Sequence, residues 1–469
     1  MEVHCGSSFM SVERLFFRVP PPMIKTRKIH LAHTLSGFII RRSQRLTYSQ
    51  NRRAFMENMT PEERDAPIYS TFTELYSRGF SLDIGICVFV GGIHVAAIVL
   101  AAWAAFLAPD QWGAIAGVWA LSHFVLGSVS TTLYSHRLIT HNATRQVALP
   151  VHLFFCLFGQ IFSVQGSVRA WAANHVLHHG VDRHGKKEID PYSATWFPNT
   201  LRNFLWSHTL THLFNHPESD ERRRAQNATR HKVIVWQDKF YGLLTTFWLF
   251  LFPMGLGYAL GGWAGFFALL TGSMVGSVLV QHNTWTVNSV THMWGWTKGL
   301  RSSAVNNYFW LGPFGEGNHH GDHHDLPRDY RNGFGWSGWL LDPTRYGILL
   351  LRGLRLVGPL NRASKREEAE VVASRKLAKL EARSKLCSEA SDLYQQFEVR
   401  VLELRKEWLE AVSRWEALRK ESKLVQQATA RRDEIAHEIR VAKAHVEARK
   451  EEFFAVVERL HAQIPSYAN

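Results

Sequence analysis

Gln111–His141 reads QWGAIAGVWALSHFVLGSVSTTLYSHRLITH. The part up to Tyr134 carries no Lys, Arg, Asp or Glu. It is long enough to cross a bilayer, which takes about 20 apolar residues. It runs straight into two histidines, His136 and His141, five positions apart. An apolar span that delivers paired imidazoles to its end sets the frame for the rest of the chain.

Three more apolar runs, charged only at Asp83, are long enough to cross: Asp83–Ala108, Tyr241–Gly261 and Trp263–Gln281. With Gln111–Tyr134 they make two hairpins, turning at Pro109-Asp110 and Gly261-Gly262 without a Lys or Arg at either turn. Between the hairpins, Ser135–Phe240 holds 13 Lys or Arg, and both flanking regions are basic as well. The positive-inside rule therefore places both termini and the middle segment in the cytosol, in a bacterial inner membrane or an endoplasmic reticulum membrane. A fifth apolar stretch, Val147–Val164, is interrupted by Pro150, His152 and Gln160. If it crossed, the histidines before and after it would face opposite sides, so it reads as a helix lying in the interface or dipping into the bundle.

Outside the runs the composition is polar, which is why the mean hydropathy is only −0.15. The formal net charge of +14 suits an anionic membrane surface or acidic ligands. No nucleic-acid-binding motif accompanies it, so nucleic acid is not expected as a partner. Four scattered cysteines give neither metal-like spacing nor a disulfide framework. The first 80 residues form a basic pre-membrane region with no acid between Glu13 and Glu57 and with the run Pro20-Pro21-Pro22. A disordered tail, or a true start at Met56 or Met59, is the expected reading there, ahead of an organellar transit peptide.

After Pro359 the pattern changes. From Leu360 to Ile464 there is no Gly or Pro. Apolar positions recur at heptad-like spacing through Val401, Leu404, Trp408, Ala411, Trp415 and Leu418, then Ile435, Ile439, Ala442 and Val446. Residues 363–469 therefore read as a long helix or helical hairpin, a coiled coil with a stutter or turn near Ser422–Ala430. The expected fold is all-α: a four-transmembrane-helix domain over residues 81–362, a cytosolic helical cap with a metal site, and this C-terminal extension.

Histidine is the anomaly, at 25 copies. After His136 and His141 come His175-Val176-Leu177-His178-His179 and Asn318-His319-His320-Gly321-Asp322-His323-His324. A single histidine near a membrane is more often an interfacial hydrogen-bonder than a ligand. Three clusters that the topology brings to one cytosolic face point instead to metal. Imidazole suits iron and zinc, and zinc is redox-inert. His208, His212 and His216, spaced four apart, are expected to line the interfacial surface rather than bind metal.

At these residues the chain resembles the membrane fatty acid desaturases, in particular the acyl-CoA Δ9, stearoyl-CoA-like branch. His136–His141 meets the family pattern HRxxxH, and His175–His179 meets HxxHH. Thr284-Trp285-Thr286-Val287-Asn288-Ser289-Val290-Thr291-His292 resembles T-W-x-V-N-S-x-x-H. Gly315-Glu316-Gly317, followed by the third cluster and Leu326-Pro327, resembles GEGxHxxHHxFP, and Asp190-Pro191 also fits. The resemblance spans about Asp83 to Arg362 and reaches neither tail.

It implies an O2-dependent acyl-CoA desaturase with two iron ions. The ligands would be His136, His141, His175, His178, His179, His292, His320, His323 and His324, with Asn288 acting through water. One residue is inserted in the third motif. Counting from GEG selects His319, counting back from His323-His324 selects His320; the i, i+3, i+4 spacing favours His320, with His319 as the alternative. No heme-binding HPGG segment is present, since His216-Pro217 is followed by Glu218-Ser219. A separate donor is therefore expected, cytochrome b5 or a ferredoxin with its reductase. Self-association through the C-terminal helix is a further expectation. The rival readings are a hydroxylase or ketolase built on the same metal-site class, and a non-catalytic membrane scaffold with a partner-binding tail; product analysis and iron content separate them.

Overall fold

The computed structural model describes residues 66–180, 187–300, 302–307, 316–384, 388–424 and 429–463. The basic segment before residue 66, with the start-site and transit-peptide readings, lies outside them, as does Gly315. The described residues are mostly helical, with two short antiparallel strand pairs.

Helix α1, Ile84–Phe106, begins where the Asp83 side chain accepts from the Ile86 N–H at 2.9 Å, the usual way a carboxylate satisfies an orphan donor at a helix start. Helix α2, Trp112–Val129, follows after a tight reversal and continues without a break through a wide turn, Ser130–Thr140. The third long apolar stretch is Tyr241–Met293. Together these are three helical stretches long and apolar enough to cross a membrane, or up to four if a further bent pair counts as one span.

The third stretch is two arms. Gly261 and Gly262 leave the helical conformation, and Gly262 has φ +57°, which favours glycine. Just beside the turn the arms touch backbone to backbone: a Cβ on Gly257 would stand 2.2 Å from the Gly265 carbonyl oxygen. Both hairpin turns expected at Pro109-Asp110 and Gly261-Gly262 are thus reversals of the chain.

The second arm packs along α2 at very short range. Cβ atoms on Gly272 and Gly276 would stand 2.8 Å from the carbonyls of Ala116 and Ala120. Small residues four apart let two helices approach this closely. Polar side chains tie the same seam, with Trp119 Nε1 donating to Ser273 Oγ at 3.0 Å and His123 Nε2 at 2.9 Å from Ser277 Oγ.

Two helices run well past the apolar runs read from sequence. The second run ends at Tyr134 but its helix reaches Thr140; the fourth ends at Gln281 but its helix, α5 (Phe252–Met293), reaches Met293. The extensions are largely polar and buried, and they carry His136 and His292 beyond the apolar layer.

Between the hairpins, Leu149–Ser163 is followed by α3, Val168–His178, at a bend of 71°. Ser167 caps α3 by accepting from the Ala170 N–H at 3.1 Å. The rings of His141, before this stretch, and His175, after it, lie 5.1 Å apart. The chain between them therefore returns to the level it left. Helix α4, Thr200–His208, packs on the polar end of α5.

The C-terminal region is three helices. Helices α7 (Lys365–Ser384), α8 (Ser388–Leu424) and α9 (Thr429–Gln463) share one apolar core containing Ala373, Leu380, Leu404, Trp408, Phe453 and Val457. Most of the heptad-like positions are buried, from Val401 to Leu418 and from Ile435 to Val446, with Trp415 and Ile439 half-buried. Arg400 pairs with Glu452 at 2.6 Å and Arg449 with Glu407 at 3.0 Å, so α8 and α9 are antiparallel. The stutter or turn expected near Ser422–Ala430 falls on residues 425–428, outside the described residues, and α7 is a third helix that the repeat did not distinguish. A short, buried helix, α6 (His320–Asp325), precedes them.

Candidate metal centre

The first histidine pair needs a special backbone. In an α-helix, residues five apart point about 140° away from one another. Ser130–Thr140 is a π-helix instead, with hydrogen bonds closing over five residues. The His141 N–H donates to the His136 carbonyl at 3.0 Å, and the two rings come to 4.7 Å. Hydroxyls hold the widened turn, with Thr140 Oγ1 donating to the Ser135 carbonyl at 2.7 Å and Thr131 Oγ1 to that of Gly127 at 3.0 Å.

The second and third clusters keep α-helical spacing and use it to divide their rings. Along a helix, i and i+4 lie about 40° apart, whereas i+3 falls on the other side of i. His175 and His179 accordingly join His136, His141 and His323 in one buried group of five. His178 joins His292, His320 and His324 in a buried group of four. Within each group the candidate ligand nitrogens lie within 4.8 Å of one another. The groups adjoin, with the His179 and His324 rings stacked at 4.0 Å. All nine histidines picked out in the sequence are present, and the pair of helices α3 and α6 contributes to both groups.

His319 belongs to neither group. Its ring fills the space beside Gly333, where a Cβ would stand 2.3 Å from it, and its Nδ1 lies 3.6 Å from Asp322 Oδ2. Asn288 is buried on α5 one turn before His292. His208, His212 and His216 also stay out of both groups, but they are not simply surface residues. His208 Nδ1 lies 3.0 Å from Ser289 Oγ and its Nε2 3.0 Å from His282 Nδ1. The His212 ring stacks on Trp285 at 5.0 Å, and His216 Nε2 donates to the Thr211 carbonyl at 2.9 Å.

Second partners orient the rings. His178 Nδ1 donates to Asp190 Oδ1 at 2.9 Å, which also takes the Tyr192 N–H at 2.9 Å. His292 Nδ1 lies 2.9 Å from Ser303 Oγ, and Arg137 NH1 donates to His323 Nδ1 at 2.5 Å. The Asp190 contact fixes which nitrogen of His178 faces inward. Of these partners, Asp190 is visible in a motif and Arg137 lies inside one; Ser303 carries no signal in sequence.

The inward-facing atoms are Nε2. His136 and His323 approach to 2.9 Å through them, His292 and His320 to 2.9 Å, and His320 and His324 to 3.2 Å. His175 Nε2 is buried without a hydrogen-bond partner. Burial first, and neighbouring imidazoles second, hold His179, His320 and His324 well below the ordinary imidazole range, and His323 likewise. The rings are therefore neutral at physiological pH, the form that ligates metal. Convergent neutral nitrogens, with no carboxylate among them, fit a pair of cations of the imidazole-binding kind.

Comparison with known proteins bears on what such a centre serves. The chain is 31% identical over 276 residues to the sn-2 palmitoyl-lipid 9-desaturase of Nostoc sp. (strain 36), covering 57% of this chain and 87% of that one. The chain belongs to the fatty acid desaturase family. To the sn-1 stearoyl-lipid 9-desaturase of Anabaena variabilis, this desaturase-family chain is 28% identical over 282 residues, 59% of it and 93% of the relative. To Acyl-CoA desaturase 1 of Saccharomyces cerevisiae it is 28% identical over 264 residues, 55% of it and 48% of the relative. No protein-family model matches it. Membership makes it an oxidoreductase that takes an acyl substrate and O2 and draws on an electron donor. The family's metal requirement has a physical place here, in histidine groups that could hold metal.

Proposed function

We propose that this protein is an oxygen-dependent fatty acyl desaturase that introduces a cis double bond at C9 of a saturated acyl chain. One observation carries the reading: nine buried histidines divide into groups of five and four, with His136, His141 and His292 brought in at the ends of the long apolar stretches. On this reading His136, His141, His175, His179 and His323 hold one iron ion. His178, His292, His320 and His324 hold the other, with Asn288 contributing through water.

Bound iron supplies the redox chemistry with O2 that no side chain can perform. The balance is an acyl –CH2–CH2– plus O2, two electrons and two protons, giving –CH=CH– and two waters. Two of the four electrons come from the substrate and two from a separate donor, cytochrome b5 or a ferredoxin with its reductase.

The chain's own residues position and exclude. The π-turn at Ser130–Thr140 aims His136 and His141 together, and Asp190 fixes the His178 tautomer. The apolar helices give the acyl chain a dry path, and depth along that path selects the carbon, since methylenes offer no polar handle. The hairpins and the basic middle segment support four membrane crossings, with both termini and the histidine layer on the cytosolic side.

For the carrier we propose coenzyme A, on the resemblance of the motifs to the stearoyl-CoA-like branch. The relatives' names divide between lipid-bound and CoA-bound chains, so both carriers belong in the test. Full-length protein in a desaturase-deficient host should yield the C9 olefin from a stearoyl chain, and purified protein with its donor should act on stearoyl-CoA in preference to a stearoyl lipid. A hydroxylated chain without any olefin would overturn the desaturase reading; preference for the lipid would overturn the carrier.

A further inference from the structure

Helix α7 belongs to no motif, yet it lies against the third histidine cluster. Arg375, on α7, donates NH1 to Asp322 Oδ1 at 2.6 Å and Nε to Asp325 Oδ2 at 3.0 Å, with NH2 at 2.8 Å from the same oxygen. All three side chains are shielded: Arg375 is 13% exposed, Asp322 5% and Asp325 1%. Both aspartates lie on α6, between and beside the histidines His320, His323 and His324.

The spacing has a geometric consequence. At about 100° per residue, 320, 323 and 324 centre on one face of the helix, and 322 and 325 centre about 180° away. Helix α6 therefore shows imidazoles to the metal centre on one side and carboxylates to Arg375 on the other. A helix of six residues has almost no stability of its own. Its orientation must come from what grips it.

Among the described contacts to the two carboxylates of α6, those other than Arg375 come from nearby in the chain. Asn306 Nδ2 donates to Asp322 Oδ1 at 3.1 Å, and the Leu300 N–H to Asp325 Oδ1 at 2.8 Å, both from the segment leading into α6. Arg375 alone of these groups comes from the C-terminal region. Its own helix is fixed by Ala373, Leu377 and Leu380 in the core shared with α8 and α9, and at its start by Glu368, which takes Arg331 at 2.7 Å.

We propose that Arg375 is a positioning residue: the C-terminal three-helix region clamps α6 from behind and thereby holds His320, His323 and His324 in register with the metal centre. The proposal rests on the reading that these histidines hold iron. A guanidinium suits the task, because its fixed fork restrains both carboxylates at once.

The test uses full-length protein in detergent, with Arg375→Gln and Arg375→Lys. Two readouts are followed: hydrogen exchange of the backbone over His319–Leu326, in metal-free protein, and loss of iron to a chelator from loaded protein. For Arg375→Gln, exchange over His319–Leu326 rises by about tenfold and iron loss accelerates by a similar factor. Exchange over α8 and α9 stays at the parent level, and Arg375→Lys falls between the two. Parent-like exchange and iron loss in Arg375→Gln would overturn the proposal. So would a rise in exchange spread equally over α8 and α9, which marks general loosening. Parent protein that takes up no iron, with the exchange result as expected, keeps the clamp and removes the iron assignment.

Discussion

The His141 N–H donates to the His136 carbonyl across five residues at 3.0 Å. That bond explains the spacing of the first histidine pair, because a five-residue interval faces one way only where the helix is widened. π-turns of this kind recur at functional sites. Here the widening starts at Ser130, and a neighbouring segment leaves it room: a Cβ on Gly159 would stand 1.8 Å from Ser130 Oγ and 2.7 Å from its Cβ.

Gly159→Val therefore acts on the histidines without touching one. It should destabilise the protein by about 1–3 kcal/mol through overpacking and lower the iron content of the purified protein. Metal analysis beside a thermal melt checks it; a parent-like iron content would show that the widened turn is not what aims His136 and His141.

The inserted residue in the third motif gives a second test. His320 sits in the four-histidine group, while His319 packs against Gly333 and lies near Asp322. His320→Ala should lose iron. His319→Ala should keep it, at a stability cost of about 2–5 kcal/mol for a vacated buried site. The opposite pattern in iron content would reverse the assignment.

Acid should act on the metal-free protein in one direction. His179, His320, His323 and His324 are held well below their ordinary range in the folded chain, first by burial, whereas in the unfolded chain they titrate near about 6.5. The unfolded state thus binds more protons below that pH. Stability is fully present above about pH 6.5 and falls as pH drops through it, each group adding about 1.4 kcal/mol per pH unit. Melting temperatures of metal-free protein between pH 8 and pH 5 measure this; no fall below pH 6.5 would mean that the imidazoles are not held neutral.

Much of this architecture was legible in the residues, and the part that was not has identifiable causes. Apolar runs and the turns at Pro109-Asp110 and Gly261-Gly262 show in composition because bilayer thickness and backbone reversal constrain it directly. The nine histidines show because their intervals match helical geometry or a family motif. The π-turn does not show: nothing in STTLYSHRLIT distinguishes it from an α-helix, and the tertiary site imposes it. Helix α5 overruns its apolar run because polar residues such as Asn288, Ser289 and Thr291 can continue a helix once packing buries them. Arg375 is one of many charges on a charged helix, and only its approach to Asp322 and Asp325 separates it from the others. The three-helix tail reads as a longer repeat in sequence because α7 ends without Gly or Pro.

The most direct measurement of the central claim is the iron content of full-length protein purified after expression with ample iron. The account predicts two iron ions per chain, with His141→Ala and His292→Ala each reducing that number, one from the five-histidine group and one from the four. Iron well below one per chain in the parent, or unaffected by both substitutions, would contradict it.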